Sequence, residues 1–273
     1  MSILLSRVIR ALEKIAPLSL AESSWDNVGL LVEPPYPRPD SSRVFLTIDL
    51  TSSVLEEALV DPKVGVIIAY HPPIFRSFKR LNSNDIKQAI IMKCVAKGIG
   101  VFSPHTAVDS SVGGVNDWLS KALGAGTSRP ITPAVNPPIG QEAAGSGRLF
   151  TLSQPVPLST VIERVKQYLK LQHVRVATAE RHSSIANELI STVGICAGSG
   201  SSVLSSATAD LYFTGEMSHH DVLAALSEHS NTERGYLSEV LKPHIEKLLQ
   251  NDGETEAVDV VVSKMDKDPL ETF

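Results

Sequence analysis

The sequence predicts an α/β protein in which strands and helices alternate along the chain. Three apolar segments rich in β-branched residues, at 44–48, 64–69 and 99–102, are typical of strands that are buried on both faces. Segments with helix caps and helical spacing of apolar residues separate them, at 54–59 and 86–94. This order is that of a βαβαβ unit with a parallel sheet.

Two further elements precede these strands. The first is a helix with an apolar stripe within residues 5–12. The second is the turn-rich segment 23–30, in which Asp26 and Gly29 favour unusual backbone angles beside a large aromatic side chain. We interpret this segment as a loop that a buried Trp25 holds in place.

A second series of elements follows a segment rich in Gly, Pro, Ala and Ser at 125–147. We expect this segment to connect two lobes, 1–124 and 148–264, of one domain that spans 1–273. The second lobe is expected to contain strands at 148–152, 174–178, 192–197 and 211–214, helices at 158–169 and 203–207, and a helix at 234–249 interrupted at Pro243.

Composition limits the function classes. The net charge of -5 argues against a surface that neutralises many phosphates, so direct nucleic-acid binding is not expected. No apolar run reaches the roughly 20 residues of a membrane span. Cys94 and Cys196 lie in apolar runs, which indicates buried thiols in a reducing compartment. We expect a cytoplasmic protein, with a mitochondrial location as the alternative because the first residues are basic.

The apolar segment 64–69 leads to His71, which two prolines follow and which therefore lies at the carboxyl end of a strand. Ligands of open α/β sheets bind beyond these strand ends. Asp49, His105 and Asp109 leave neighbouring predicted strands at the same edge. The alternative is that His71 only ends its strand and forms local hydrogen bonds.

The polar residues His71, His105, Asp109, His229 and Glu233 provide imidazole and carboxylate donors and no thiolate. Such donors suit divalent Zn, Mn, Fe or Co. The set exceeds what one tetrahedral zinc requires, which favours two ions and a bridging carboxylate. His229 and Glu233 are spaced so that both can point at one spot. Glu233 equally fits the last position of an S-x-x-E capping box, which would engage its carboxylate with backbone amides.

A glycine-rich turn, Gly198-Ser199-Gly200-Ser201, separates a predicted strand from a short helical run. The amides of Gly198, Ser199, Gly200 and Ser201 are candidates to bind a phosphate or carboxylate. A tight turn without a ligand is equally consistent, because neither a Walker lysine nor a full dinucleotide fingerprint is present.

A series of short motifs extends along nearly the whole chain. In chain order these are Trp25-Asp26-Asn27-Val28-Gly29-Leu30, Asp49-Leu50-Thr51, Tyr70-His71-Pro72-Pro73-Ile74-Phe75, His105-Thr106-Ala107-Val108-Asp109, Gly113-Gly114-Val115-Asn116, Thr214-Gly215-Glu216, His219-His220 and 229–235. Together they resemble the Nif-three-like family, in its eukaryotic branch. The resemblance implies an α/β fold of two related lobes of βα units, a two-metal site in the cleft between them, and ring-like homo-oligomers.

The same resemblance implies the ligand set. Its metal ligands would be His71, Asp109, His229 and Glu233, with His105 beside them as a further ligand or as a partner of the ligands. Two other residues, Tyr70 and Asp49, are candidates for either role.

This chain departs from the family at two places. Tyr70 stands where bacterial members have a second histidine, so one ligand is absent or replaced by phenol or water. The chain also lacks about ten residues before His229, by comparison with typical strand and loop lengths. Either the helix after His220 is shortened or absent, so that His229 still reaches the cleft, or His229 and Glu233 are displaced and the site keeps only the ligands of the first lobe. Of these two outcomes we expect displacement.

Two functions of different classes follow. The first is a two-metal hydrolase that acts on a nucleotide-like or phosphorylated small molecule, with His220 or His105 as the proton shuttle. The second is a metal-binding protein that interacts with or regulates a protein partner, such as a transcription factor, without catalysis.

Overall fold

The computed structural model describes residues 1–177, 189–218, 236–251, 253 and 257–264. In chain order its helices and strands are α1 (Ile3–Ile15), β1 (Gly29–Val32), β2 (Arg43–Thr47), α2 (Ser52–Val60), β3 (Val64–Ala69), α3 (Ile86–Ala96), β4 (Gly100–Ser103), α4 (His105–Ser110), α5 (Val115–Ser120), β5 (Gly126–Arg129), β6 (Thr132–Pro133), β7 (Gly145–Ser146), β8 (Arg148–Pro157), α6 (Leu158–Leu169), β9 (Leu189–Ser199), α7 (Ser201–Leu204), β10 (Leu211–Glu216), α8 (Lys242–Gln250) and β11 (Asp259–Val262). The mixed α/β class expected from the sequence is confirmed.

The chain divides into two compact units. The first contains Met1–Val108 with the described part of Leu237–Phe273, and the second contains the described part of Asp109–Tyr236. This division differs from the expected lobes 1–124 and 148–264. The reason lies in strand pairing, because β11 joins β2 in the first unit and β5 joins β8 in the second.

The sheet of the first unit has the strand order β1-β4-β3-β2-β11. Strands β2, β3, β4 and β11 run parallel, and β1 pairs antiparallel with β4 at one edge. The chain passes from β2 through α2 to β3, and through α3 to β4, which confirms the βαβαβ unit. Every residue of β3 is buried, as expected for a parallel strand with both faces covered.

Helices cover both faces of this sheet. On one face α2 and α3 contribute buried side chains such as Leu55 and Cys94 to the core. On the other face α1 lies close to the strands, because a Cβ added to Gly100 would lie 3.1 Å from the nearest Leu5 side-chain atoms. Burial of these apolar side chains, at about 25 cal/mol per Å², stabilises the layered arrangement.

The second unit contains a mixed sheet with the order β10-β9-β8-β5. In this sheet β9 and β10 are parallel, whereas β8 pairs antiparallel with both of its neighbours. The predicted strand 192–197 lies within β9, but residues 174–177 form neither helix nor strand. The expected connector 125–147 contributes β5, β6 and β7. The second unit therefore does not repeat the parallel sheet of the first.

A buried arginine organises the start of the second unit. Arg148 is 1% exposed, and its guanidinium donates to the carbonyl oxygens of Gly145 at 2.7 Å and Ser111 at 3.0 Å. It also forms an ion pair with the carboxylate of Asp117. These bonds fix the backbone directly after Asp109, which the sequence marked as a metal ligand.

The C-terminal helix is interrupted as the sequence predicts. Leu237–Leu241 forms a π-helical turn, and α8 follows with Pro243 in its first turn. Proline has no amide to donate to the preceding turn, and the π-helical turn directly before α8 is where the regular α-helical hydrogen bonding changes. The expected interruption of 234–249 at Pro243 is thus confirmed for the residues from 236 onward.

Candidate functional site

Three polar side chains of the first unit follow the carboxyl ends of neighbouring parallel strands. Asp49 follows β2, His71 follows β3 and His105 follows β4. The amide of His71 donates to the carbonyl oxygen of Ile48 at 3.0 Å, which extends the pairing of β2 and β3 beyond their last residues. This pairing brings Asp49 and His71 side by side, as the strand-end argument predicts.

His71 and Asp49 form a hydrogen-bonded pair. The distance from Nδ1 of His71 to Oδ1 of Asp49 is 3.0 Å. A carboxylate only accepts hydrogen bonds, so Nδ1 carries the proton and Nε2 is the nitrogen with the lone pair. The side chains are 40% and 49% exposed, respectively, which gives a ligand in solution access to the pair.

His105 forms the same kind of pair with Asp26. Its Nδ1 lies 2.8 Å from Oδ1 of Asp26, whose side chain is fully shielded from solvent. The second carboxylate oxygen of Asp26 accepts hydrogen bonds from the hydroxyl and the amide of Thr106. Burial raises the pKa of Asp26, but the hydrogen bonds from His105 and Thr106 and the nearby imidazole outweigh it and hold the pKa below its usual range. Asp26 is therefore ionised at neutral pH.

The backbone of His105 is strained. Its φ angle is +26°, a value that residues with a β-carbon rarely adopt. Strained residues of this kind cluster at functional sites, where the surrounding structure determines them. The hydrogen bonds of Asp26 to the side chain of His105 and to Thr106 supply that determination.

The two imidazoles lie close to each other. The ring centroids of His71 and His105 are 5.4 Å apart, with an interplanar angle of 87°. The ring of Tyr70 lies 5.5 Å from that of His71 and 6.0 Å from that of His105. Tyr70 is only 2% exposed, and its carbonyl oxygen accepts a hydrogen bond from the hydroxyl of Ser103. The structure thus groups four of the sequence-predicted site residues, including Asp49.

The other predicted ligands are less fully described. Asp109 lies at the end of α4 and belongs to the second unit, where its carbonyl oxygen accepts a hydrogen bond from Asn116. His229, Glu233 and the candidate proton shuttle His220 lie outside the described residues, as does the deletion expected before His229. Within the described part of the chain no group of three or more His, Cys, Asp or Glu side chains could hold a metal ion.

The described donors nevertheless suit a divalent metal. Histidines that bind metals usually donate their other ring N–H to a carboxylate, which fixes the ring and raises its basicity. His71 and His105 both meet this requirement. Thiolate chemistry is not available from Cys94, because burial raises the pKa of its thiol to about 12. Imidazole and carboxylate donors without a thiolate suit Zn, Mn, Fe or Co.

One amide of the glycine-rich turn, that of Gly200, donates a hydrogen bond within the protein. The amide of Gly200 donates to the hydroxyl of Thr214 at 3.1 Å, and the hydroxyl of Thr214 donates to the carbonyl oxygen of Gly198 at 2.9 Å. A Cβ on Gly200 would lie 2.6 Å from the Cβ of Cys196, so close packing alone explains this glycine. Anion binding by Gly198, Ser199, Gly200 and Ser201 stays a prediction.

Two features of this site were not identified from the sequence. Asp26 was interpreted only as a turn residue, although it orients His105 from 79 residues away. Trp25 was expected to be buried, and that expectation is wrong because it is 54% exposed. The motif that contains both residues was the available signal, but local spacing did not connect it with His105.

The chain is similar to known proteins of a single family. The model of the Duf34/NIF3 (NGG1p interacting factor 3) family matches residues 3–269. A protein NIF3 homolog of Schizosaccharomyces pombe is 44% identical, with 98% of both chains covered. The NGG1-interacting factor 3 of Saccharomyces cerevisiae is 40% identical and covers 97% of this chain and 96% of its own. The human NIF3-like protein 1 is 36% identical, with 98% and 92% covered.

Solved structures show the same fold. A Bacillus cereus protein related to NIF3 has a TM-score of 0.78 at 22% identity, with 98% of each chain covered. Reduced HcgD from Methanocaldococcus jannaschii has a TM-score of 0.75 at 17% identity, with 96% of this chain and 98% of its own covered. At these identities the similarity concerns the fold alone. The resemblance to the Nif-three-like family that the sequence motifs indicated is confirmed.

Proposed function

Because the chain belongs to the Duf34/NIF3 family, we propose that it binds divalent metal ions and hydrolyses a nucleotide-like or phosphorylated small molecule. One observation carries this proposal. Two adjacent imidazoles at the carboxyl ends of parallel strands are each oriented by a carboxylate. This is the arrangement in which metal-binding histidines are usually found.

Two ions would require His71, Asp109, His229 and Glu233, with His105, Tyr70 and Asp49 around them. Displacement of His229 and Glu233 by the expected deletion would leave only the ligands of the first lobe, His71 and Asp109. Divalent ions bound there would supply Lewis acidity and would make hydroxide available near neutral pH. The carboxylate of Asp49 keeps the proton of His71 on Nδ1, so Nε2 is the nitrogen that would coordinate.

His105 is suited to move a proton. Its Nδ1–H is held by the ionised carboxylate of Asp26, which leaves Nε2 as the ring nitrogen that can accept a proton. His105 thus takes the role of proton shuttle in the proposal, and His220 is the alternative. Tyr70, which packs against both imidazoles, shields them on one side from solvent.

Metal analysis of purified protein tests the first half of the proposal. His71→Ala should lose at least one equivalent of Zn, Mn, Fe or Co by elemental analysis and remain folded, since a half-exposed strand-end side chain contributes little to the core. The matched control is His244→Ala, because His244 is an exposed histidine of α8. Equal metal content in the wild type and His71→Ala would contradict the assignment.

Turnover of nucleotides and phosphodiesters by protein loaded with each metal tests the second half. Hydrolysis that disappears in His71→Ala, while the oligomeric state is kept, supports the enzyme. Absence of turnover with every metal favours the second candidate, a metal-binding interaction or regulatory protein. The name of the yeast relative, NGG1-interacting factor 3, supports that candidate.

Other expectations accompany both candidates. None of the helices in the described part of the chain has the length and apolar character needed to cross a membrane. Homo-oligomerisation, a cytoplasmic or mitochondrial location and the absence of direct nucleic-acid binding stay predictions. Size-exclusion chromatography with light scattering would measure the first of these directly.

A further inference from the structure

Two large aromatic side chains of the first unit are exposed beside the histidines. Trp25 is 54% exposed and Phe75 is 43% exposed, and their ring centroids lie 6.1 Å apart at an interplanar angle of 56°. The ring of Trp25 also lies 6.0 Å from that of His105. Exposed aromatic surface next to a polar site is typical of a ligand-binding surface.

The aromatic pair is held in place by its neighbours. The side-chain amide of Asn27 donates to the carbonyl oxygen of Ile74, which ties the loop that carries Trp25 to the loop that carries Phe75. Ile74 and Phe78 pack against the core formed with α2 and α3, so Phe75 lies between two anchored residues. A surface that is ordered before binding loses little conformational entropy when a ligand binds.

A group of cations follows the aromatic pair along the chain. Arg76, Lys79 and Arg80 are exposed and form no ion pair with a described carboxylate. No acidic residue lies between Asp61 and Asp85, although the whole protein has a net charge of -5. Arg76 directly follows Phe75 in the chain, and Lys79 and Arg80 lie within five residues of Phe75. Arginine and lysine in such a position attract phosphate groups.

We propose that Trp25, Phe75 and the cations Arg76, Lys79 and Arg80 form the recognition surface for a nucleoside phosphate. The planar base stacks on the exposed aromatic rings, and the phosphates bind to the cations. A ligand with only phosphates would leave the rings exposed, and an apolar ligand would leave the cations without a counter-charge. This inference rests on the proposed function, since it names the substrate class for the site at His71 and His105.

Calorimetric titration of metal-free protein with ATP, adenosine and inorganic tripolyphosphate tests the two halves of the surface. ATP should bind at least tenfold more tightly than either fragment. Trp25→Leu should weaken ATP binding about tenfold, in line with the stacking energy of a base on an aromatic ring, whereas Trp25→Phe should retain most of the affinity. Tyr36→Leu is the matched control, because Tyr36 is also an exposed aromatic residue, at 84%.

Charge is tested by the triple variant Arg76→Gln, Lys79→Gln, Arg80→Gln. It should weaken the binding of ATP about tenfold, reduce the salt dependence of that binding, and leave the binding of adenosine unchanged. Lys121→Gln, which removes an exposed lysine of the second unit, should change none of these values.

Besides a failure to bind ATP at all, three results would overturn the inference. The first is equal affinity for tripolyphosphate and ATP, and the second is wild-type ATP affinity in Trp25→Leu. The third is displacement of ATP by a single-stranded oligonucleotide at far lower concentration, which would identify a nucleic-acid site. Elemental analysis separates this failure from that of the proposed function. Protein that takes up metal but does not bind ATP refutes only this inference, whereas protein that binds ATP but takes up no metal refutes only the metal function.

Discussion

The two carboxylate–imidazole pairs of the first unit have the same chemistry but different surroundings. In the pair that follows β3, His71 and Asp49 are 40% and 49% exposed. In the pair at the start of α4, His105 is 16% exposed and Asp26 is fully shielded. Solvent weakens the first interaction, whereas burial makes each hydrogen bond of the second costly to break.

This difference in exposure indicates that the two pairs have different roles at the site. Asp26 accepts hydrogen bonds from His105, from Thr106 and from the amide of Asn27, so it joins the loop after α1 to the start of α4. This pair therefore belongs to the framework of the first unit. The pair of His71 and Asp49 contributes less to the framework and is more accessible to a ligand.

Removal of the Asp26 carboxylate should have the largest effect on stability. Asp26→Ala leaves the ring N–H of His105 and the hydroxyl of Thr106 without their acceptor in a shielded position, and we expect a loss of about 3 kcal/mol. Asp49→Ala should cost less than about 1 kcal/mol, because its pair is half exposed. Urea unfolding of both variants in the metal-free state measures the difference, and equal losses would refute the distinction.

Removal of each imidazole should also destabilise the buried pair more than the exposed pair, with smaller losses of stability than removal of the carboxylates. His105→Ala deletes a hydrogen bond to an ionised carboxylate, which is worth about 1.5–2 kcal/mol. His71→Ala should cost about 0.5 kcal/mol. Alanine keeps the β-carbon, so the backbone strain of the positive φ at position 105 is the same in His105→Ala as in the wild type. The measured change in stability therefore reports the lost hydrogen bond and not a relief of strain. A larger loss in His71→Ala than in His105→Ala would reverse the assignment of the two roles.

The sequence predicted that His71 and Asp49 lie at the same sheet edge, but it did not reveal Asp26 as the acceptor for His105. The β-branched run before His71 and the two prolines after it are local signals, and β2 carries Asp49 to the adjacent position of a parallel sheet. Nothing near Asp26 encodes a partner 79 residues away, because turn residues and buried acceptors share the same local composition. Long-range pairing of this kind is a property of the folded chain.

Local sequence patterns also failed to predict some strands of the second unit. All four residues of β5 are exposed, so no apolar alternation identified Gly126–Arg129 as a strand within the expected connector. The apolar spacing of Val174 and Val176 predicted a strand, but periodicity alone does not supply a neighbouring strand to pair with. The parallel sheet of the first unit was predictable because its buried strands are continuously apolar.

The charge of Asp26 should appear in the acid dependence of stability. Its pKa is lowered in the folded protein, so near pH 4 the unfolded chain binds more protons and stability rises with pH. Asp26→Asn should cost about 1–1.5 kcal/mol at pH 7, since the amide keeps the shape but not the charge. This difference from the wild type should shrink as the pH falls through the lowered pKa of Asp26, below about 4. A difference that stays constant between pH 3 and pH 7 would show that the charge contributes nothing.

We expect the smallest change in stability for Asp49→Asn. This variant tests whether the exposed pair serves metal binding rather than the stability of the fold. The amide fills the same half-exposed position, so the free energy of unfolding should change by less than about 0.5 kcal/mol. The amide is also a weaker acceptor for the ring N–H, so His71 becomes a less basic and less firmly oriented ligand. Metal affinity should therefore fall about 10–100-fold, as when other partners of metal-binding histidines are lost. Competition with a chelating dye measures this affinity, and a variant that loses stability but not metal affinity would assign Asp49 to the framework beside Asp26.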